Sequence, residues 1–309
     1  MRRLHALVYG SPLIMTKAID NHTAMPQGRD IALLSLGIIG IGTSGPVIAM
    51  STMPIPSLIF WRNLGGAFTM LPFAIRLREW KSAAGRKGLK HSVIAGVLLA
   101  SHFLAFFGAM RLTSVATGTA LTAMQPIFSA LYAQFTGHSI SKKAWSGMLI
   151  AFLSVIYISG IDLHLSVRAF TGDLLAVFGA ALAAAYMWFG SKAQRNLSTS
   201  TYTSACYLTC ALTALPVALI GGYRMTGFAG REWWLALALI AGAQLLGHTM
   251  FNLSLKRVSP TVVSLVVFFE VPVSALLAYW WMGQRPPGGT IPGIIGLLIG
   301  SAIFVSRQG

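Results

Sequence analysis

Residues 260–281 read PTVVSLVVFFEVPVSALLAYWW. Apart from Glu270 the run carries no formal charge, and it is long enough to matter: a helix crosses the ~30 Å hydrocarbon core of a bilayer with about 20 mostly apolar residues. The stretch therefore reads as a membrane-crossing helix with one carboxyl group stranded inside it. Working outward, nine more apolar runs occupy 31–50, 57–76, 92–111, 114–134, 144–161, 174–191, 201–222, 233–252 and 291–306. Backbone groups in lipid must pair within their own segment, so these runs are expected to be helices. They lack the weak alternation of an outer-membrane barrel. The expected fold is an all-α polytopic membrane protein with ten transmembrane helices.

In 309 residues of 55% hydrophobic content and mean hydropathy +0.69, these runs leave no room for a sizeable soluble domain. The net charge of +16 suggests nucleic acid, but its distribution argues against that partner. With the N-terminus placed in the cytoplasm, Arg2, Arg3, Lys17, Arg29, Arg76, Arg78, Lys81, Arg86, Lys87, Lys90, Lys142, Lys143, Lys192, Arg195, Lys256, Arg257 and Arg307 fall on one side. Only Arg111, Arg168, Arg224, Arg231 and Arg285 fall on the other, and Arg62 lies within a span. Such asymmetry is the positive-inside signature. It predicts a multi-pass protein of the cell inner membrane with both termini cytoplasmic. Residues 1–30 are expected to form a cytoplasmic tail, since Leu4–Met15 is too interrupted for a signal peptide. Cys206 and Cys210, one turn apart on a helix, are expected to be packing residues and not a disulfide.

The chain repeats itself. Phe107-Gly-Ala-Met-Arg-Leu-Thr-Ser114, then Gln125-Pro-Ile-Phe-Ser-Ala-Leu131 and Gly137, correspond to Phe251-Asn-Leu-Ser-Leu-Lys-Arg-Val-Ser259, then Glu270-Val-Pro-Val-Ser-Ala-Leu276 and Gly283. Two five-helix units result, 31–161 and 172–306. Because five is odd, the second would insert with opposite topology, as in many secondary transporters. Several strings carry a more specific likeness: Gly42-Thr-Ser-Gly-Pro46 with Pro54, Pro56 and Phe60-Trp-Arg-Asn63; Gly172-Asp-Leu-Leu-Ala176 with Ala180-Ala-Leu-Ala-Ala-Ala-Tyr186; and Leu255-Lys-Arg-Val-Ser259 with Glu270-Val-Pro-Val-Ser-Ala-Leu-Leu277. From about residue 31 onward the chain resembles the drug/metabolite transporter superfamily, in its EamA-like branch. It departs from that pattern at Gly137-His138 and Gly283-Gln284, where the family often has Gly-Glu, and at Val271, which separates the usual Glu-Pro pair.

Polar residues inside the spans are the candidate site. An arginine or acid at mid-membrane costs roughly 2.5–3.5 kcal/mol on insertion scales, so such residues usually face a cavity. At 1.5 Å per residue, Arg62 should lie about 8 Å below the outer face and Glu270 about 12 Å below it, near enough to share a cavity or to pair. The alternatives are that Arg62 snorkels outward beside Trp61 and that Glu270 supports a helix break at Pro272. His102 and His248 could contact substrate or carry protons, or be satisfied by nearby carbonyls. Gln244, His248 and Asn252 fall at four-residue spacing on one helical face, suited to substrate contact or helix adhesion. Gln125 precedes Pro126 as Glu270 precedes Pro272, so weakened helix geometry is expected at both places. Gly40, Gly42, Gly45 and Pro46 mark a first helix that either bends or packs closely. Trp61, Tyr186 and Trp188 could wall a cavity, although aromatics near span ends more often belong to the interfacial belt.

The resulting expectation is a secondary transporter with no enzymatic activity, cofactor or metal. It would export a small organic metabolite, an amino acid or related amphipathic compound, by alternating access. The resemblance implies export, and coupling to protons through Glu270 or a histidine is the expected energy source. Its partners would be that small molecule, protons and membrane lipids, with no nucleic acid. The rival reading on the same fold is a flippase for a lipid or lipid-linked head group. An intramembrane enzyme is disfavoured by the lack of a His-Glu-x-x-His pair or Gly-x-Ser-x-Gly elbow, and no phosphate-binding loop suggests ATP hydrolysis.

Overall fold

Long apolar segments with hydroxyl residues just ahead of them should start cleanly as helices, because a serine oxygen can satisfy an otherwise unpaired N–H of the first turn. The computed structural model describes residues 28–135, 141–254 and 267–306, and it shows this device repeatedly. Ser82 accepts from Gly85 N at 2.9 Å, Ser114 from Thr117 N at 3.0 Å, and Ser198 from Thr201 N at 3.3 Å. The helices are α1 (Gly28–Gly42), α2 (Ser44–Met50), α3 (Ile55–Leu77), α4 (Ala83–Leu112), α5 (Val115–Thr122), α6 (Gln125–Phe135), α7 (Lys142–Leu165), α8 (Val167–Gln194) and α9 (Thr199–Ile220). They continue with α10 (Gly230–Ala238), α11 (Thr249–Ser254), α12 (Glu270–Met282) and α13 (Thr290–Ser306). Between α10 and α11 the chain widens into a π-helical segment, Leu239–His248. No strand occurs among the described residues.

Six stretches are helical, long and apolar enough to cross a membrane: Gly28–Met50, Ile55–Leu77, Ala83–Leu112, Val167–Gln194, Thr199–Ile220 and Gly230–Phe251. They correspond to six of the ten expected spans. Of the remaining four, 144–161 falls within α7 and 291–306 within α13, while 114–134 is divided between α5 and α6. The last, 260–281, begins outside the described residues and ends as α12. The exterior is what a bilayer would solvate. Phe68, Phe152, Phe178 and Leu212 point outward, each more than half exposed.

Breaks fall where proline and glycine predict weakened helices. A turn at Ala123–Met124 precedes Gln125-Pro126, and a turn at Phe268–Phe269 precedes Glu270. The first span breaks at Thr43, whose Oγ1 donates to Gly40 O at 2.7 Å. It is also tightly packed, because a Cβ on Gly40 would lie 2.6 Å from Gly247 N and 2.7 Å from Gly242 O. Small residues allow this approach of backbones. α7 and α13 use the same device, with Gly147 against Gly300 and Gly300 against Ala151. The principal packing pairs are α4 with α8, α3 with α9, α7 with α13, α4 with α9, and α1 with the π segment.

Two ends of the bundle are distinguishable. Arg76, Arg78, Lys81, Arg86, Lys87, Lys90, Lys192 and Arg195 cluster where α3 and α8 end and α4 and α9 begin; this is the basic face. At the opposite face the α2–α3 corner is gripped by side chains from α4 and α10. Arg231 Nη1 donates to Met50 O at 3.2 Å, and Arg111 Nη2 donates to Met53 O at 2.5 Å. Glu232 accepts from Ser51 Oγ at 2.6 Å and from the backbone of Thr52 and Met53 at 3.0 and 3.1 Å.

Candidate functional site

Arg62 is the eighth residue of α3, which begins at the opposite face, so its Cα lies roughly 10 Å inside that end at 1.5 Å per residue. Its side chain is 1% exposed and does not snorkel. The guanidinium stacks over Phe103, 4.4 Å from the ring centroid, with Phe107 at 5.7 Å. Its Nε donates to Gln244 Oε1 at 3.3 Å. Of the two arrangements expected with Glu270, a shared cavity or a pair, the ion pair is not made: Arg231–Glu232, at 3.4 Å, is the single ion pair among the described residues. The buried guanidinium is thus held by an aromatic face and a neutral amide.

That charge borders a cavity of about 280 Å³. Arg62, His102, Gln125, Tyr186, His248 and Glu270 all line it, so the structure brings together six of the ten residues singled out from the sequence. The cavity extends toward the basic face as far as Ser191, Gln194 and Thr203, near the end of α8 and the start of α9. Toward the opposite face it stops at Arg62, Ser44 and Thr119, beneath the gripped α2–α3 corner.

His102 Nδ1 donates to Gly179 O at 2.8 Å. Because a carbonyl can only accept, Nδ1 carries the proton and Nε2 is left as the acceptor of the neutral ring. A carbonyl thus satisfies His102, and the same ring lines the cavity. Its ring stacks between Phe106 at 5.7 Å and Tyr186 at 6.5 Å. Gln125 Nε2 contacts Met187 Sδ at the cavity wall. Glu270 is half-buried as the first residue of α12, directly after the turn.

Three expected residues are placed differently, and a fourth lies outside what the structure describes. Gln244 is 1% exposed and lies behind Arg62, outside the cavity lining. The segment that carries both Gln244 and His248 is π-helical, and of the two only His248 lines the cavity. The Asn252 side chain lies outside the described residues. Trp61 Nε1 donates to Met225 O at 2.7 Å and packs on Trp233, fastening the opposite face. Trp188 lies under Lys192 Nζ, 3.4 Å from the ring centroid, and not on the cavity. Sequence reasoning missed Ser44, Phe103, Phe106, Thr119 and Tyr207, all of which line the site. Among apolar neighbours, hydroxyl and aromatic residues give no signal until helix rotation is known.

The sequence profile of the EamA-like transporter family matches twice, over residues 27–160 and 170–306. The chain belongs to the EamA-like transporter family. This EamA-like protein is 27% identical over 264 residues to the pseudopaline exporter CntI of Pseudomonas aeruginosa, covering 84% of this chain and 88% of the relative. It is 25% identical over 267 residues to the uncharacterized transporter YyaM of Bacillus subtilis, covering 79% and 83%. A solved crystal structure superposes with a TM-score of 0.62 over 90% of this chain and 98% of that one, at 17% identity, a likeness that speaks to fold alone. The apolar exterior and the family together make this EamA-like transporter a multi-pass membrane protein.

Proposed function

We propose that this transporter exports a small carboxylate-bearing organic metabolite, an amino acid or related amphipathic compound, by alternating access. The observation that carries the reading is Arg62: a buried cation on the wall of a 280 Å³ cavity, with no acidic partner among the described residues. Guanidinium groups bind carboxylates through paired, charge-assisted hydrogen bonds. Glu270 lines the same cavity and supplies an acceptor for an ammonium group, so both ends of a zwitterion find a partner.

Two findings support a pair of inverted five-helix repeats. The family profile matches once in each half. The packing is also reciprocal: α8 lies on α4 as α1 lies on the π segment, with α3–α9 and α7–α13 pairing across the halves. Transporters built this way expose one midplane site to each side in turn. By the positive-inside rule the basic face is cytoplasmic, which makes the present arrangement the cytoplasm-facing state, ready to load cargo for export. Export is also the direction named for the Pseudomonas relative. Proton coupling is assigned to Glu270 or His248, titratable residues that both line the cavity.

The test is a tolerance screen. Cells expressing the chain are challenged with amino acids, toxic analogues, nucleosides and cationic drugs, and the compounds rendered harmless are identified. Protection against carboxylate-bearing compounds should fall at least about tenfold in Arg62→Ala, the equivalent of ~1.4 kcal/mol, and should be lost in Glu270→Gln. Protection that is confined to cations, or unaffected by Arg62→Ala, would remove the carboxylate reading.

A further inference from the structure

Two glutamates outside the cavity make the same kind of contact at opposite ends of the molecule. After α3 the chain stops sharply at Arg78, whose φ of 50° is left-handed, and delivers Glu79 to the start of α9. There its carboxylate accepts from Ser198 N at 3.0 Å and Ser198 Oγ at 2.8 Å. After α9 the chain turns through 221–229 and delivers Glu232 to the start of α3. That carboxylate accepts from Ser51 Oγ, Thr52 N, Thr52 Oγ1 and Met53 N at 2.6–3.1 Å. In each half, the corner following the second helix reaches across to the chain preceding the second helix of the other half. α3 and α9 pack side by side between the two clasps, which therefore pin both ends of one helix pair.

The cavity extends toward the basic face even though the Glu79 clasp on that face is made. A contact that is closed while its own end of the cavity is reachable does not gate it. Inverted repeats exchange their conformations when access switches. A contact made by both halves in one state is consequently made by both halves in the other. From this we infer that α3 and α9 are a fixed spine, held by Glu79 and Glu232 throughout the transport cycle, and that the access change is carried by the helices around them. The inference rests on the two-repeat, alternating-access reading proposed above.

Spin-label distance measurements on the full chain in lipid nanodiscs test it, on a background with Cys206→Ala and Cys210→Ala. One label pair, Arg76→Cys with Ser200→Cys, spans the basic end of the spine; a second, Ile55→Cys with Ile220→Cys, spans the opposite end. A third, Tyr132→Cys with Ser191→Cys, crosses the cavity mouth. The expected result is a single narrow distance at both spine ends and two populations across the mouth. Glu79→Gln should broaden the first distribution alone, and Glu232→Gln the second alone. Two populations at either spine end in the unmodified clasps, or spine distances indifferent to both glutamine variants, would overturn the fixed spine while leaving alternating access intact. A single population across the mouth would instead overturn the alternating-access reading and the spine with it.

Discussion

At the scale of single residues the decisive fact is how Arg62 is held. An unpaired charge is expensive to bury, yet this one has only a phenylalanine face and one amide oxygen from Gln244. Supplying an internal carboxylate should satisfy it and close the site to anions. Gln244→Glu is expected to fold and to reach the membrane at normal levels. It should lose protection against carboxylate-bearing compounds as fully as Arg62→Ala does, in the same tolerance assay. The seat of Gln244 offers an independent handle. A Cβ on Gly66 would collide with the Gln244 amide, so Gly66→Ala must displace that amide from Arg62, and weakened export in the same tolerance assay is the expected outcome. The role of Arg62 as a cavity residue was legible in the sequence, because a charge inside an apolar run has few other places to go. Its partner was not, because a pairing between residues 182 positions apart depends on helix rotations that spacing alone does not fix.

Among the helices, legibility followed local chemistry. Proline marked the breaks before Gln125-Pro126 and Glu270, while the serine cap at Ser82 starts α4 well before the span expected at 92–111. The π segment left no such mark. Its residues, Leu239-Ile-Ala-Gly-Ala-Gln-Leu-Leu-Gly-His248, read as an ordinary apolar helix, and the segment packs closely on α1. That packing is testable at Gly40, whose added Cβ would meet backbone atoms of Gly242 and Gly247 that cannot rotate away. Gly40→Ala should destabilise the protein, while Gly28→Ala, with nothing within 4 Å, should not; thermal unfolding of the two variants side by side decides it. The Glu79 clasp makes a pH prediction. Burial raises its carboxyl pKa, but hydrogen bonds from Thr201 and Ser198 outweigh that and hold it below the usual range. A depressed folded-state value stabilises above the ordinary glutamate pKa of about 4.3 and ceases to do so as pH falls through the depressed value. The melting temperature of Glu79→Gln should therefore trail the unaltered protein by a constant margin from neutral pH to roughly 5, with the gap closing below about 4.

For the molecule as a whole, charge asymmetry and the internal repeat were readable because both are written along the chain, in loops and in recurring strings. The conformational state was not, since the same residues must serve both states. The asymmetry of the present state lies in its contacts: the opposite face is fastened by Arg111, Arg231 and Trp61, while the cavity reaches exposed Ser191 near the basic face. If that arrangement is the resting state, a deep cavity position should be reachable from one side only. Thr119 is suited to the purpose, as it is 2% exposed and lines the inner end of the cavity. Thr119→Cys, with both native cysteines replaced by alanine, should react with a membrane-impermeant maleimide in inside-out vesicles and remain largely unlabelled in right-side-out vesicles. Glu232→Gln is not expected to admit the reagent from the outside, because a brace that persists through the cycle is not the barrier. Labelling from the outside at an equal rate in the unaltered background would mean that the opposite face is not sealed at rest, and with it would go the assignment of this structure as the cytoplasm-facing, cargo-loading state.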